Sequence, residues 1–175
     1  VPSLLRLAAD SSSGVLGDVA ASLRLACYVW IGLWSLGLFM NLVVGPIVSP
    51  DKPLDDAWPW PGAPVAVALL LVSFGLVALT RRRGLPSERL LDLALGYEVL
   101  LALGIGIVNQ WTPNTVGLSW ICVIILVHPL IVPASPAKAF VAGVLAASMD
   151  LVGMGITAAR GVEVPPVSVL VWTYL

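Results

Sequence analysis

Charge is scarce in this chain. Only 11% of its 175 residues are Asp, Glu, Lys or Arg, against about 25% in soluble domains. That excludes an ordinary soluble enzyme, and no basic patch offers itself to a nucleic acid. Cysteine is nearly absent as well. Cys27 and Cys122 both lie in apolar stretches, where a thiol acts as a small hydrophobe, which argues against a disulfide framework. His128 is the single histidine, and with two distant cysteines it lacks the ligand spacing of a metal site. The N-terminal residues do not have the charged, apolar and small-residue order of a cleaved signal peptide. What fills the sequence is hydrocarbon: 59% of residues are hydrophobic and the mean hydropathy is +0.99, the profile of a polytopic membrane protein.

The expected fold class is all-α, a polytopic membrane bundle of about six helices with a cytoplasmic N-terminus. Residues 1–24 form a cytoplasmic N-terminal segment with room for one short amphipathic helix and a turn at Ser11-Ser12-Ser13-Gly14. Residues 25–175 form the transmembrane domain. Its first span covers residues 25–48 and stops at Gly45-Pro46 and Pro50. An acidic loop with Trp58 and Trp60, fit for an interfacial aromatic belt, leads to spans at 64–80, 90–108, 117–132 and 139–159. The apolar run 167–175 is too short to cross a bilayer. It reads as a truncated sixth span, and the chain as a piece of a longer one.

Orientation follows from the basic residues. With the N-terminus inside, Arg6, Arg24, Arg81, Arg82, Arg83, Arg89 and Lys138 are cytoplasmic, seven of nine, and only Lys52 and Arg160 lie outside. The positive-inside rule favours this arrangement. A sixth span would then return the chain to the cytoplasm.

Three ionisable residues fall within spans. Glu98 lies about 12 Å into the third span at 1.5 Å per residue, where a carboxyl must be neutral, paired or turned to the bundle interior. Asp150 lies near the middle of the fifth span and His128 in the fourth, just before Pro129. Glu, His and Asp on three helices could form a proton relay, or simply tie helices together through hydrogen bonds. Asp92, close to Arg89, reads as a surface or helix-start carboxylate. Pro129, Pro133 and Pro136 bracket the inner end of the fourth span, either as a helix terminator or as a hinge that lets the inner helix ends shift.

Other motifs reduce to packing. Leu103-Gly104-Ile105-Gly106 lacks the third glycine and the lysine of a phosphate loop. Ala102 with Gly106, and Gly143 with Ala147, have the spacing that lets helix backbones approach closely in lipid. Gly117-Leu118-Ser119-Trp120 departs from a serine-hydrolase motif, and Ser119 stands nine residues from His128 on one helix, about 13 Å of rise. The sequence therefore offers no recognisable catalytic motif.

The segment Gly117-Leu118-Ser119-Trp120-Ile121-Cys122-Val123, continuing through Pro129-Leu130-Ile131-Val132-Pro133-Ala134-Ser135-Pro136-Ala137-Lys138 to Ala147-Ser148-Met149-Asp150, resembles the multi-helix membrane region that precedes the kinase domain of certain bacterial transmembrane serine/threonine protein kinases. The resemblance covers spans three to six. It implies a membrane anchor or sensor in the bacterial inner membrane, lipid as its surroundings, a homodimer as one possible assembly, and a cytoplasmic effector domain after Leu175. ATP and Mg²⁺ would belong to that domain. This chain has no glycine-rich ATP loop, strand lysine or His-Arg-Asp catalytic loop, so it holds no cofactor of its own. The alternative is a small transporter or channel using Glu98, His128 and Asp150, for which the two halves of the sequence show no internal repeat. An integral-membrane enzyme ranks last, since no nucleophile–base pair is present.

Overall fold

The computed structural model describes the backbone of residues 2–48, 62–81, 85–111 and 120–161, and side chains from Val19 onward within these segments, those of residues 110, 111 and 157 excepted. Among the described residues all regular structure is helical. Helix α1 (Pro2–Phe39) passes through a π-helical turn (Met40–Val44) into the short α2 (Gly45–Val48). Then follow α3 (Gly62–Thr80), α4 (Ser87–Trp111), α5 (Trp120–Ile131) and α6 (Pro136–Ala159).

Among the described residues, four segments are long and apolar enough to cross a membrane: Val19–Val48, Gly62–Thr80, Ser87–Asn109 and Pro136–Ile156. They match the first, second, third and fifth expected spans. The fourth appears as α5, whose 12 residues extend about 18 Å against a hydrocarbon core of about 30 Å. Residues 112–119, the sixth span at 167–175, and Trp58 and Trp60 lie outside the described residues.

Two expectations near the N-terminus are corrected. The Ser11–Gly14 segment is helical, not a turn, and lies within α1. Ser and Gly disfavour a helix by only about 0.5–1 kcal/mol each, which the surrounding helix absorbs. Nor do Gly45 and Pro46 stop the first span. The helix widens, the Gly45 N–H reaching back five residues to the Met40 carbonyl, and a widened turn relieves the proline ring's clash with the preceding turn.

Helix α4 is the hub, touching α1, α3, α5 and α6. Its interior side carries Ala94, Glu98, Leu101 and Ile105, all buried at helical spacing. Another side meets α3 at Gly104, where a Cβ would fall 2.5 Å from Leu69 Cδ1. The third side meets α6 along most of its length. At one end Lys138 Nζ donates to Asp92 Oδ1 at 2.7 Å. At the other, a Cβ on Gly106 would fall 2.6 Å from the Met149 carbonyl oxygen, and one on Gly153 would fall 2.5 Å from that of Gly106. These contacts make α4 and α6 a parallel pair in backbone contact.

Asp92 is an exposed carboxylate near the start of α4, as expected, and its partner is Lys138 of α6. Gly106 is a close-packing glycine as its spacing predicts, whereas Gly143 is not in backbone contact with a neighbouring helix. Gly143 meets only the Ile125 side chain of α5, at 3.6 Å, because the register of the pair places Gly153 opposite Gly106. From α1, Leu23, Ala26, Cys27 and Trp30 join the same core. Gly161, at φ 77°, closes α6 with its N–H on the Ala158 carbonyl at 2.9 Å, a conformation glycine adopts at little cost.

Candidate functional site

The buried polar residues form the candidate site: Ser73 on α3, Glu98 on α4, His128 on α5 and Asp150 on α6, each 5% exposed or less. Tyr97, also buried, joins them from α4. Ser73 Oγ lies 2.6 Å from the Leu69 carbonyl and 2.6 Å from the Tyr97 hydroxyl. A serine has one proton and a carbonyl can only accept, so Ser73 donates to Leu69 and Tyr97 donates to Ser73. The Cys27 thiol of α1 is an electrostatic neighbour of that hydroxyl.

The ring of Tyr97 packs against His128, centroids 6.5 Å apart and planes tilted by 58°, within the range of attractive aromatic pairs. The imidazole lies against the Ala94 backbone, yet neither ring nitrogen completes a well-formed hydrogen bond. Glu98, one residue beyond Tyr97 and fully buried, finds no protein partner for either carboxyl oxygen. A buried polar group without a partner costs about 1–3 kcal/mol.

Asp150 stands apart. Its Cα would lie 3.3 Å from a Cβ on Gly106, and Gly106 is eight residues beyond Glu98, about 12 Å along α4. The expected three-residue relay is therefore split by level. Glu98 and His128 share the level of Ala94 and Tyr97, and Asp150 lies about two turns away at the glycine crossing. The parallel register of α4 and α6 imposes this separation, which sequence spacing within single helices does not reveal.

Pro129 sits inside α5, and the helix continues past it, the Val132 N–H bonding the His128 carbonyl at 2.9 Å. Pro133 lies in the connection, and Pro136 takes the first position of α6. Ser135 precedes it with its carbonyl accepting from Ala139 N–H at 2.9 Å and its Oγ 3.4 Å from Lys138 N–H, a capping arrangement for which proline's missing N–H is no loss.

Ser73 and Tyr97 belong to the site although neither stands out in the sequence. Their signal is faint: one hydroxyl in an aliphatic run, and a tyrosine next to an intramembrane glutamate. Among the described residues no group of three or more His, Cys, Asp or Glu side chains gathers closely enough to hold a metal ion.

No family model, curated protein or solved structure matches this chain. Among the described residues, fold and site together define an all-helical bundle with four helices fit to cross a membrane and polar side chains buried among them.

Proposed function

We propose that this chain is the membrane-embedded anchor and sensor module of a bacterial signalling protein, a transmembrane serine/threonine kinase whose catalytic domain follows in the cytoplasm. The N-terminus is cytoplasmic, the membrane is the inner one, and a sixth span returns the chain to the side where ATP is found. The resemblance in residues 117–150 supplies the kinase, and the distribution of basic residues supplies the orientation.

The observation that carries the sensor reading is the burial of Glu98 and His128 at one level with unmet hydrogen-bonding capacity. A sensor needs two arrangements separated by a few kcal/mol. Polar atoms left unpaired in one arrangement favour any other that pairs them, by about the amount required. The elements differ in their freedom to move. Helices α4 and α6 are locked by backbone contact at Gly106 and Gly153, whereas α5 is short and carries a proline one residue after His128. A shift of α5 against the α4–α6 pair moves His128 relative to Glu98 and pulls on the Pro133–Pro136 connection that begins α6.

The test is to read the coding sequence beyond Leu175, express the whole product in vesicles and assay phosphate transfer from ATP. Activity that changes in Glu98→Gln while membrane insertion is kept supports the proposal. Absence of an effector domain, together with proton flux that depends on Glu98, His128 and Asp150, would replace it with the transporter reading.

A further inference from the structure

A valley opens on the outer surface between α4 and α6. Gly96 and Val99 line it from α4, Val141 and Leu145 from α6, and the Asp92–Lys138 ion pair stands at one end of what is an open groove of about 380 Å³. That volume lies within the range of small-molecule sites, roughly 300–1,000 Å³. Gly96 leaves it open: a Cβ there would meet no atom within 4 Å. The valley is also fixed in shape. Its helices are joined by the ion pair at one end and by the Gly106–Gly153 backbone contact at the other, so an occupant meets a preorganised surface.

The two helices have the length and apolarity to cross a membrane, so lipid is what would cover their outer face. Asp92 and Lys138 lie near the starts of the two spans, at the height of a headgroup. Leu145 is seven residues deeper, about 10 Å. A polar head at the ion pair with one acyl chain along the valley fits this layout.

Charge narrows the choice of head. Lys138 and Asp92 are both exposed beyond their mutual contact. A lysine keeps further N–H donors for a phosphate and an aspartate keeps an oxygen for an ammonium. Glu88 adds negative charge beside Lys138. A purely anionic head would meet like charge from Glu88 and Asp92, and a quaternary ammonium offers no N–H to a carboxylate.

We infer that the α4–α6 valley is a binding site for one phospholipid whose head carries both a phosphate and a primary ammonium, the phosphatidylethanolamine class. The inference rests on the membrane placement proposed above and is independent of any effector domain.

The experiment is native mass spectrometry of the detergent-purified chain with added phosphatidylethanolamine, phosphatidylcholine or phosphatidylglycerol, beside flotation of the chain with vesicles of all three. The expected result is a single phosphatidylethanolamine retained at least about tenfold better than the others. Gly96→Phe, which fills the valley, should lose it. Gly75→Phe, on an equally open site of α3, should keep it. Asp92→Asn combined with Lys138→Gln should bind the three lipids alike. Equal retention of all three by the unaltered chain, preference for phosphatidylglycerol, or retention in Gly96→Phe would overturn the site. Failure to float with vesicles would overturn the membrane placement and the site together, whereas flotation with unselective binding overturns the site alone.

Discussion

Gly106 and Gly153 cross in backbone contact: a Cβ on Gly153 would stand 2.5 Å from the Gly106 carbonyl oxygen. In lipid the hydrophobic effect does not drive helices together, so close van der Waals packing of this kind carries the association. Gly153→Ala should therefore destabilise the bundle by about 1–3 kcal/mol, the usual cost of overpacking. Gly155→Ala, whose Cβ meets nothing within 4 Å, should be neutral or stabilising by up to about 1 kcal/mol. Thermal unfolding in detergent checks both, and equal effects of the two would refute the backbone contact.

Proton accounting in the Ser73–Tyr97 bond gives an asymmetric expectation. Ser73→Ala leaves the buried Tyr97 hydroxyl with no acceptor, at a cost of about 1–3 kcal/mol. Tyr97→Phe leaves Ser73 still donating to Leu69 and should cost less. The double variant should then be more stable than Ser73→Ala alone, a coupling that a double-mutant cycle measures directly.

Glu98 should be a liability to stability. Glu98→Met removes two oxygens that have no protein partner and keeps most of the side-chain volume, so it should stabilise the isolated chain by about 1–3 kcal/mol. A loss of stability of that size would instead show that the carboxyl is paired. A stabilising change that also abolishes signalling by the whole product would mark Glu98 as retained for function.

Orientation can be checked at the helix ends. In a Cys27→Ala, Cys122→Ala background, Arg81→Cys and Ala134→Cys should react with a membrane-impermeant maleimide only from the cytoplasmic side. Gly161→Cys should react only from the outer side. The reverse pattern would invert the topology that the basic residues imply.

The helical architecture was legible because apolar runs about 20 residues long leave few options in lipid. Burial of Glu98, His128 and Asp150 was legible for the same reason. Their relation to one another was not. Glu98 and Asp150 lie about two turns apart along the α4–α6 pair because Gly106 meets Gly153, and helix register is a tertiary property that no single segment encodes. The same holds for Asp92, whose neighbour in sequence is Arg89 but whose partner in space is Lys138. Pro46 shows the opposite limit, where a local rule for helix termination yields to a π turn.

The most direct test of the sensor account is to reconstitute the product of the whole reading frame in proteoliposomes. Phosphate transfer from ATP and proton flux would be measured together for the unaltered protein, Glu98→Gln and Asp150→Asn. The account expects kinase activity that shifts in Glu98→Gln, with no proton flux in any variant. Flux that disappears in Glu98→Gln, with no phosphate transfer at all, would contradict it.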